Sequence, residues 1–327
     1  MRYAAGDARD WVRDTLCGYF TALYTPFRED GAVDEEGLRH NVRRTLALPG
    51  VGGVSVNSIH QEFWTLTGTE RKRLVEVVLD EVGGRVPVVV GCSDPSAETV
   101  VDFARHAAAA GADLVMAWPP FYGPRSAESV RHFYEYVAGR IGIGLVLYST
   151  TLPELGYYLT PPEVEALLPL PSIGAVQNTT LNLAQYAAML ERVGDRLPVA
   201  TSLEEYHLFG QIAFPERAPR FLIGSSRPIL CQTMACPHCG RFIEAIAAGN
   251  LVAAAAEART IMAIADRLQS RYFARGFHHV GLFKHVAGLL GMRAGPTRPG
   301  VASASASERA ETEQALRDLG LLSERRA

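Results

Sequence analysis

The chain has 327 residues, of which 48% are hydrophobic, and it carries a formal net charge of −3. Lysine and arginine are scattered singly, which excludes a basic patch for nucleic acid, and no uncharged apolar run reaches the roughly 18 residues of a membrane span. The first ten residues lack the apolar stretch of a signal peptide and the five cysteines are an odd number, so we expect a cytoplasmic protein with reduced thiols that binds neither nucleic acid nor membrane.

Residues 1–17 have the pattern of a short helical extension. Beyond them, short β-branched apolar runs recur along the chain, and a helical pattern follows each one. Near-continuous apolar runs are typical of parallel strands that are covered on both faces. The runs are FTALYTPF (20–27), GGVSVNS (52–58), VPVVVGC (86–92), LVMAWPP (114–120), IGLVLYST (143–150), IGAVQN (173–178), LPVATS (197–202) and RFLIGSS (220–226).

Helix start signals lie between several of these runs. The helix predicted over 67–82 opens with Thr67 and Glu70, which have the spacing of a capping box. The helix predicted over 161–168 is preceded by Thr160 and begins with two prolines, which are favoured in the first turn of a helix. These signals support an alternation of strand and helix.

Eight such alternations favour a (β/α)₈ TIM barrel, with a doubly wound open sheet as the structural alternative. The open sheet is disfavoured because it usually has fewer strands and because no G-x-G-x-x-G follows the first run. After the eighth unit the pattern is helical over 250–271, 277–291 and 308–319. We therefore predict an N-terminal extension at 1–17, a barrel at 18–249 and a C-terminal helical region at 250–327.

In a barrel of this kind the active site lies at the C-terminal ends of the strands. The residues that the eight predicted strand ends place there are polar and carry few charges. They include neither the carboxylate pair of a glycosidase nor a clear metal triad. They are residues 57–62, Cys92, Ser93, Phe121, Tyr122, residues 148–151, Gln177, Asn178, Ser202, Glu204 and residues 225–227.

Several stretches, in order and with matching gaps, resemble the dihydrodipicolinate synthase / N-acetylneuraminate lyase family. The resemblance covers residues 18 to about 292. It implies a TIM barrel that acts as a class I aldolase or lyase on pyruvate-like 2-oxo acids, without a cofactor and usually as a homotetramer. The stretches are FTALYTPFREDGAVDEEGL, GVGGVSVNSIHQEFWTLTGTER, VPVVVGCSD, AGADLVMAWPPFY and VLYSTT.

The resemblance assigns roles to a few residues of this chain. Tyr148 matches the tyrosine of a Y-N-x-P motif that relays protons in the family. Tyr122 matches part of an aromatic pair, and Glu62 matches a glutamate that is mainly structural. The Schiff-base lysine that usually ends strand 6 is replaced by Gln177, and the loop that usually receives the substrate carboxylate reads Ser58-Ile59-His60-Gln61.

Only two lysines occur in the chain, Lys72 and Lys284. An amide nitrogen is delocalised and does not add to a ketone, so Gln177 cannot form the iminium that a lysine forms. The helical context of both lysines predicts outer-ring positions away from the barrel mouth. We therefore predict a family member without Schiff-base chemistry.

Two residues are candidate catalytic groups, each with a structural alternative. Tyr148 is a proton donor or acceptor, or else a tyrosine that caps the core. His60 binds an anion or acts as general base near neutral pH, or else packs on Phe63 or Trp64. The predicted substrate-binding residues are Ser58, Ile59, Tyr122, Thr150, Gln177, Ser226 and Arg227, the last with an exposed arginine as its alternative.

Cysteine and histidine clusters near the C-terminus are interpreted as structural. Cys231, Cys236 and Cys239 fall in the helix predicted after strand 8, where they point in different directions, so no metal site is expected. His278, His279 and His285 are interpreted as helix surface. No cofactor is implied by any of these residues.

Two function classes remain open. The first is a carbon–carbon lyase or hydro-lyase that acts on a small oxo- or hydroxy-acid-like substrate, with proton transfer by Tyr148 and His60. The second is a catalytically silent barrel that binds a small molecule or serves as a partner subunit, with its pocket filled by Leu203, Ile59 and Phe121. In either case the partners expected are a small molecule and further copies of the chain, as a dimer or tetramer. An ordinary synthase or sialic acid lyase is disfavoured by the missing lysine.

Overall fold

Eight strands form one sheet in the computed structural model of the protein, which describes residues 2–322. Each predicted apolar run overlaps a strand, although the first two strands begin and end earlier than predicted. The strands are β1 Gly18–Ala22, β2 Val51–Val56, β3 Val88–Gly91, β4 Leu114–Ala117, β5 Gly144–Thr150, β6 Ile173–Thr179, β7 Val199–Ala200 and β8 Phe221–Ser225.

Helices alternate with these strands, and further helices follow β8. The capping box predicted at Thr67 is present, and the helix predicted after Thr160 also begins with a capping box, formed by Thr160 and Glu163. The helices are α1 Ala8–Thr15, α2 Glu35–Ala47, α3 Gly68–Val82, α4 Ala97–Ala110, α5 Ala127–Ala138, α6 Pro161–Leu167, α7 Leu183–Val193, α8 Glu204–Ala213, α9 Arg227–Leu230, α10 His238–Ala247, α11 Leu251–Ala265, α12 Arg271–Ala274, α13 Val280–Leu289 and α14 Ala306–Asp318.

The strand order is β7-β6-β5-β4-β3-β2-β1-β8, and neighbouring strands run parallel from β2 to β7. Sequential order in a parallel sheet whose strands alternate with helices is the arrangement of a (β/α)₈ barrel. The predicted fold class is confirmed. The three-segment division of the chain stays a prediction, and residue 1 and residues 323–327 lie outside the described part.

Two predicted helical segments differ from the structure. The segment predicted as one helix over 250–271 contains a π-helical stretch at Asp266–Ser270 between α11 and α12. The segment after β8 is broken: α9 ends at Leu230, and α10 begins only at His238. The prediction of one helix that carries all three cysteines is therefore wrong, because only Cys239 lies in α10.

The residues divide into two compact units. The first comprises residues 2–20, 52–56 and 84–224, and so holds most of the sheet; the second comprises residues 21–51, 57–83 and 225–322. Within the first unit, α1 packs on β6 and β5 through its buried residues Ala8 and Val12. Glycine is required where α1 approaches, because a Cβ at Gly144 would lie 2.9 Å from the Cβ of Ala8.

Candidate functional site

Tyr148 and Gln177 stand side by side near the C-terminal ends of β5 and β6. The two residues are direct partners in the parallel register of these strands. Both side chains are buried, with 6% and 3% of their surface exposed. The topology of the sheet therefore brings together the predicted proton-transfer residue and the residue that occupies the family's lysine position.

Neutral hydrogen bonds connect the ends of β5, β6 and the segment after β7. The amide Nε2 of Gln177 donates to Thr179 Oγ1 at 3.0 Å, and Thr179 Oγ1 lies 3.2 Å from Ser202 Oγ. Thr150 Oγ1 donates to the Thr179 carbonyl at 2.7 Å. Thr150 and Gln177, both predicted to bind substrate, therefore share a network that contains amide and hydroxyl groups.

The Tyr148 phenol remains protonated over the whole physiological range. Burial raises its pKa to about 12, and hydrogen bonds with Thr150 and Thr179 oppose this shift only in part. A neutral phenol donates a hydrogen bond or a proton and does not act as an anionic base. The geometry therefore suits Tyr148 as a donor to an oxygen on which negative charge develops.

Trp118 covers the ring of Tyr148 and was not selected by the sequence analysis. The indole and the phenol stack with centroids 5.3 Å apart and planes inclined by 27°. Phe121 contacts Trp118 edge to face at 6.0 Å. The only sequence signal was a large aromatic residue directly after β4. Tyr122, which was selected, is 83% exposed and does not belong to this buried cluster.

Gly224 in β8 gives Gln177 the space that it occupies. The backbone of Gly224 has a φ of +81°, which favours glycine. A Cβ at this position would lie 2.7 Å from the amide nitrogen of Gln177. The Gln177 amide is therefore held between the backbone of β8 and the hydroxyl of Thr179.

The loop after β2, in the second unit, has a constrained backbone. Asn57 and Glu62 adopt φ values of +58° and +55°, which are uncommon for residues with a Cβ. Asn57 is held because its backbone N–H donates to Gln61 Oε1 at 2.6 Å and its side-chain amide donates to the Arg71 carbonyl at 3.0 Å. Backbone strain of this kind is typical of functional loops.

Ser58, Ile59 and His60 follow Asn57 in this loop. Ile59 is half-buried and begins a 3₁₀ turn that ends at Gln61. Ser58 Oγ and His60 Nδ1 are inaccessible to water and make no hydrogen bond to any described residue. Buried polar atoms normally have a partner. The loop therefore presents two groups that a ligand or an ordered water would satisfy.

His60 is a neutral imidazole in this environment. Burial lowers its pKa to about 3. Its ring contacts Tyr24 edge to face at 5.8 Å and His278 at 4.5 Å. The packing partners predicted from the sequence were Phe63 and Trp64. A neutral histidine does not attract an anion by charge, and a base this weak is poorly matched to neutral pH. The structure therefore favours His60 as a hydrogen-bonding group.

Lys284 lies on α13, in the predicted C-terminal helical region, and its side chain is buried. Its ammonium lies 2.8 Å from Glu62 Oε1 and donates to the Pro296 carbonyl at 2.6 Å, with the Phe27 ring 4.6 Å away. The exposed fractions of the Lys284 and Glu62 side chains are 1% and 0%. Glu62 thus fixes the end of the loop, which agrees with the structural role expected of it. Lys72 lies on α3 and is half-buried.

Ser226 and Arg227 follow β8 and are both buried, in the second unit. Gln269, from the π-helical stretch, donates to Ser226 Oγ at 2.9 Å. Arg227 begins α9 and is 3% exposed. The alternative of a solvent-exposed arginine at this position is therefore wrong.

The C-terminal histidines differ from their interpretation as helix surface. His279 precedes α13, is 4% exposed and lies 3.3 Å from the Glu308 carboxylate. His278 stacks on Phe273 at 5.2 Å. His278 and His285 are half-buried, so none of the three histidines is fully exposed. Within residues 2–322, no group of three or more histidine, cysteine or acidic side chains is arranged to hold a metal ion.

Comparison with known proteins gives one family. The sequence model of the dihydrodipicolinate synthetase family matches residues 15–319. A 4-hydroxy-tetrahydrodipicolinate synthase of Pelobacter propionicus is 35% identical over 182 residues, which cover 56% of this chain and 62% of that protein. An uncharacterized DapA-like lyase of Halobacterium salinarum is 29% identical over 94% of this chain and 95% of its own length. The chain spans about 60% of the length of the first curated synthases that it matches.

Solved structures share the fold. A dihydrodipicolinate synthase from Thermotoga maritima superposes with a TM-score of 0.81 at 21% identity, over 94% of this chain and all of that one. A prophage protein of the dihydrodipicolinic acid synthase family from E. coli K12, in complex with pyruvate, gives a TM-score of 0.79 at 22% identity, over 94% and 99% of the two chains. In the described part of this chain, no helix has the length and apolar character needed to cross a membrane.

Proposed function

The chain belongs to the dihydrodipicolinate synthetase family, whose members are generally lyases, and on that premise we propose that it is an aldolase-like lyase that works without a Schiff base. The substrate is a small oxo- or hydroxy-acid-like compound. Tyr148 donates the proton, while the amide of Gln177 and the hydroxyl of Thr150 hold the substrate oxygen. No cofactor takes part in this scheme.

One observation carries the proposal: Gln177 is paired in register with Tyr148 inside a neutral hydrogen-bond network. A primary amide donates hydrogen bonds but does not add to a carbonyl. An oxyanion that forms beside a protonated phenol and an amide N–H would be stabilised by two donors in a buried site, where such bonds are strong. The chemistry supported is therefore enolate or alkoxide stabilisation, as in a carbon–carbon lyase or a hydro-lyase.

The other residues predicted to bind a ligand lie in the second unit, and their binding role is a separate proposal. Ser58 and His60 present buried polar atoms without a partner among the described residues, and Ile59 lies between them. Ser226 and Arg227 follow the last strand. Because His60 is neutral, its proposed role is to accept or donate a hydrogen bond to a ligand.

Borohydride trapping tests the absence of an iminium. The wild-type protein is incubated with pyruvate and treated with borohydride, and its intact mass is measured by mass spectrometry. We expect no covalent adduct. Gln177→Lys restores an amine at the family position, and we expect an adduct on that residue. Gln314→Lys, on the exposed side of α14, is the matched control for non-specific trapping. An adduct on the wild-type protein would refute the proposal.

A catalytically silent barrel is the second candidate, because two bulky side chains that follow β4 and β7, those of Trp118 and Leu203, are almost completely buried. Their exposed fractions are 7% and 8%. A silent barrel should fail to trap pyruvate even after Gln177→Lys. Family members generally form oligomers, and we propose that this chain too is a cytoplasmic homodimer or homotetramer. Light scattering after size-exclusion chromatography measures the number of chains in the assembly.

A further inference from the structure

We propose that Trp118 is a specificity-determining residue that limits the substrate at Tyr148 and Gln177 to a short, pyruvate-sized compound. The proposal rests on the proposed function, because it concerns the substrate of the same site. It adds a size limit and names the side chain that imposes it.

Trp118 is fixed in place over the phenol. Its backbone N–H donates to Ser93 Oγ at 3.1 Å, across from β4 to the end of β3. Tyr148 stacks on the indole on one side, and Phe121 contacts it edge to face. Aromatic contacts of these geometries are favourable beyond the area that they bury. The indole is therefore held by its backbone, by the phenol and by a second ring.

Gln177 is confined from another direction. The glycine at position 224 allows its amide to approach the backbone of β8, and a Cβ there would lie 2.7 Å away. Leu203, the N-cap residue of α8, is 8% exposed. The amide and the phenol are thus each in contact with bulky or rigid groups. A carbonyl compound that reaches both has little space for its substituents.

Packed sites discriminate by size because a substituent that does not fit must displace close-packed neighbours. Hydrophobic pockets separate substrates that differ by one methylene by about 10–200-fold. A phenyl substituent is far larger than a methylene. We therefore expect the wild-type geometry to admit a methyl ketone and to reject its benzyl analogue by at least about tenfold.

Gln177→Lys converts this expectation into a direct measurement. A lysine at position 177 records each ketone that reaches the site as a covalent adduct after borohydride reduction. The variant is offered pyruvate and phenylpyruvate at equal concentration, and the two adducts are distinguished by intact mass. The same experiment is done in Gln177→Lys/Trp118→Leu and Gln177→Lys/Trp118→Ala. Gln177→Lys/Trp64→Leu is the control, because Trp64 is 48% exposed.

In Gln177→Lys and in the Trp64 control, we expect a pyruvate-to-phenylpyruvate adduct ratio of at least about ten. This ratio should fall at least about tenfold in the two variants in which Trp118 is replaced. The leucine variant keeps the measurement valid if the alanine variant does not fold, and circular dichroism verifies each protein. Equal capture of both acids with Trp118 present, or an unchanged ratio without it, would overturn the proposal. The absence of any adduct from all the folded variants would overturn this proposal and the proposed function together, because it is the result expected of a silent barrel. An adduct on the wild-type protein would refute the proposed function, whereas the two adduct ratios test the size limit alone.

Discussion

Replacing Lys284 by methionine should destabilise the protein strongly, because it leaves the buried carboxylate of Glu62 without its ammonium partner. The two charges are 2.8 Å apart and almost inaccessible to solvent. Among the described residues, the only other hydrogen bond to the Glu62 carboxylate comes from the backbone N–H of Arg298, at 3.2 Å. Removing one partner of a buried pair costs about 3–5 kcal/mol, and we expect a loss in that range for Lys284→Met.

The reverse deletion should cost less. In Glu62→Gln the Lys284 ammonium keeps its hydrogen bond to the Pro296 carbonyl, at 2.6 Å, and its contact with the face of the Phe27 ring. The new amide oxygen still accepts a hydrogen bond. We expect the free energy of unfolding to fall by about 1–3 kcal/mol, because the hydrogen bond between Lys284 and position 62 loses one of its two charges and is weakened. Glutamine also keeps the Cβ, so the cost of the positive φ at position 62 is unchanged.

Urea denaturation followed by circular dichroism measures these differences as free energies of unfolding. Lys284→Met/Glu62→Gln removes both charges, so its loss should be clearly smaller than the sum of the two single losses. Arg131→Gln is the control, since it breaks an exposed pair with Glu135 that is worth about 0.3–0.5 kcal/mol. A loss for Lys284→Met as small as that of the control would refute the reasoning.

Three further outcomes are expected. Gly224→Ala should lower the free energy of unfolding by about 1–2 kcal/mol, because alanine at a φ of +81° is strained. Adding Gln177→Ala removes the steric contact with the new Cβ and should recover only a smaller part of the lost stability. Full recovery of the stability would contradict the backbone argument. Burial lowers the pKa of His60 to about 3 and that of His207 to about 4, so the unfolded state binds more protons below pH 6.5. Stability should therefore fall as the pH drops from about 6.5 to 4, by up to about 1.4 kcal/mol per pH unit for each histidine, and His207→Asn should flatten the curve in urea titrations at several pH values. Asn57→Gly should be tolerated better than Asn57→Ala in thermal unfolding, because glycine adopts its φ of +58° without strain; the opposite order would show that the bond to the Arg71 carbonyl dominates.

Local patterns in the chain were sufficient for the architecture. The eight apolar runs each overlap a strand, and the cap signals at Thr67 and Thr160 mark real helix starts. These features depend on residues close in sequence. The fold in turn places Tyr148 beside Gln177, because parallel strands of a barrel end on one face. The unusual residue at the family's lysine position was therefore visible in the sequence alone.

Contacts between distant segments decided the rest. The sequence did not reveal that Trp118 covers Tyr148, that Gly224 admits Gln177 or that Lys284 is buried against Glu62. Each pair is separated by tens to hundreds of residues, and periodicity along the chain contains no information on such pairs. Amphipathic patterning shows which side of a helix is apolar, but a charged residue such as Lys284 is placed in the interior only when a partner from another element compensates its desolvation.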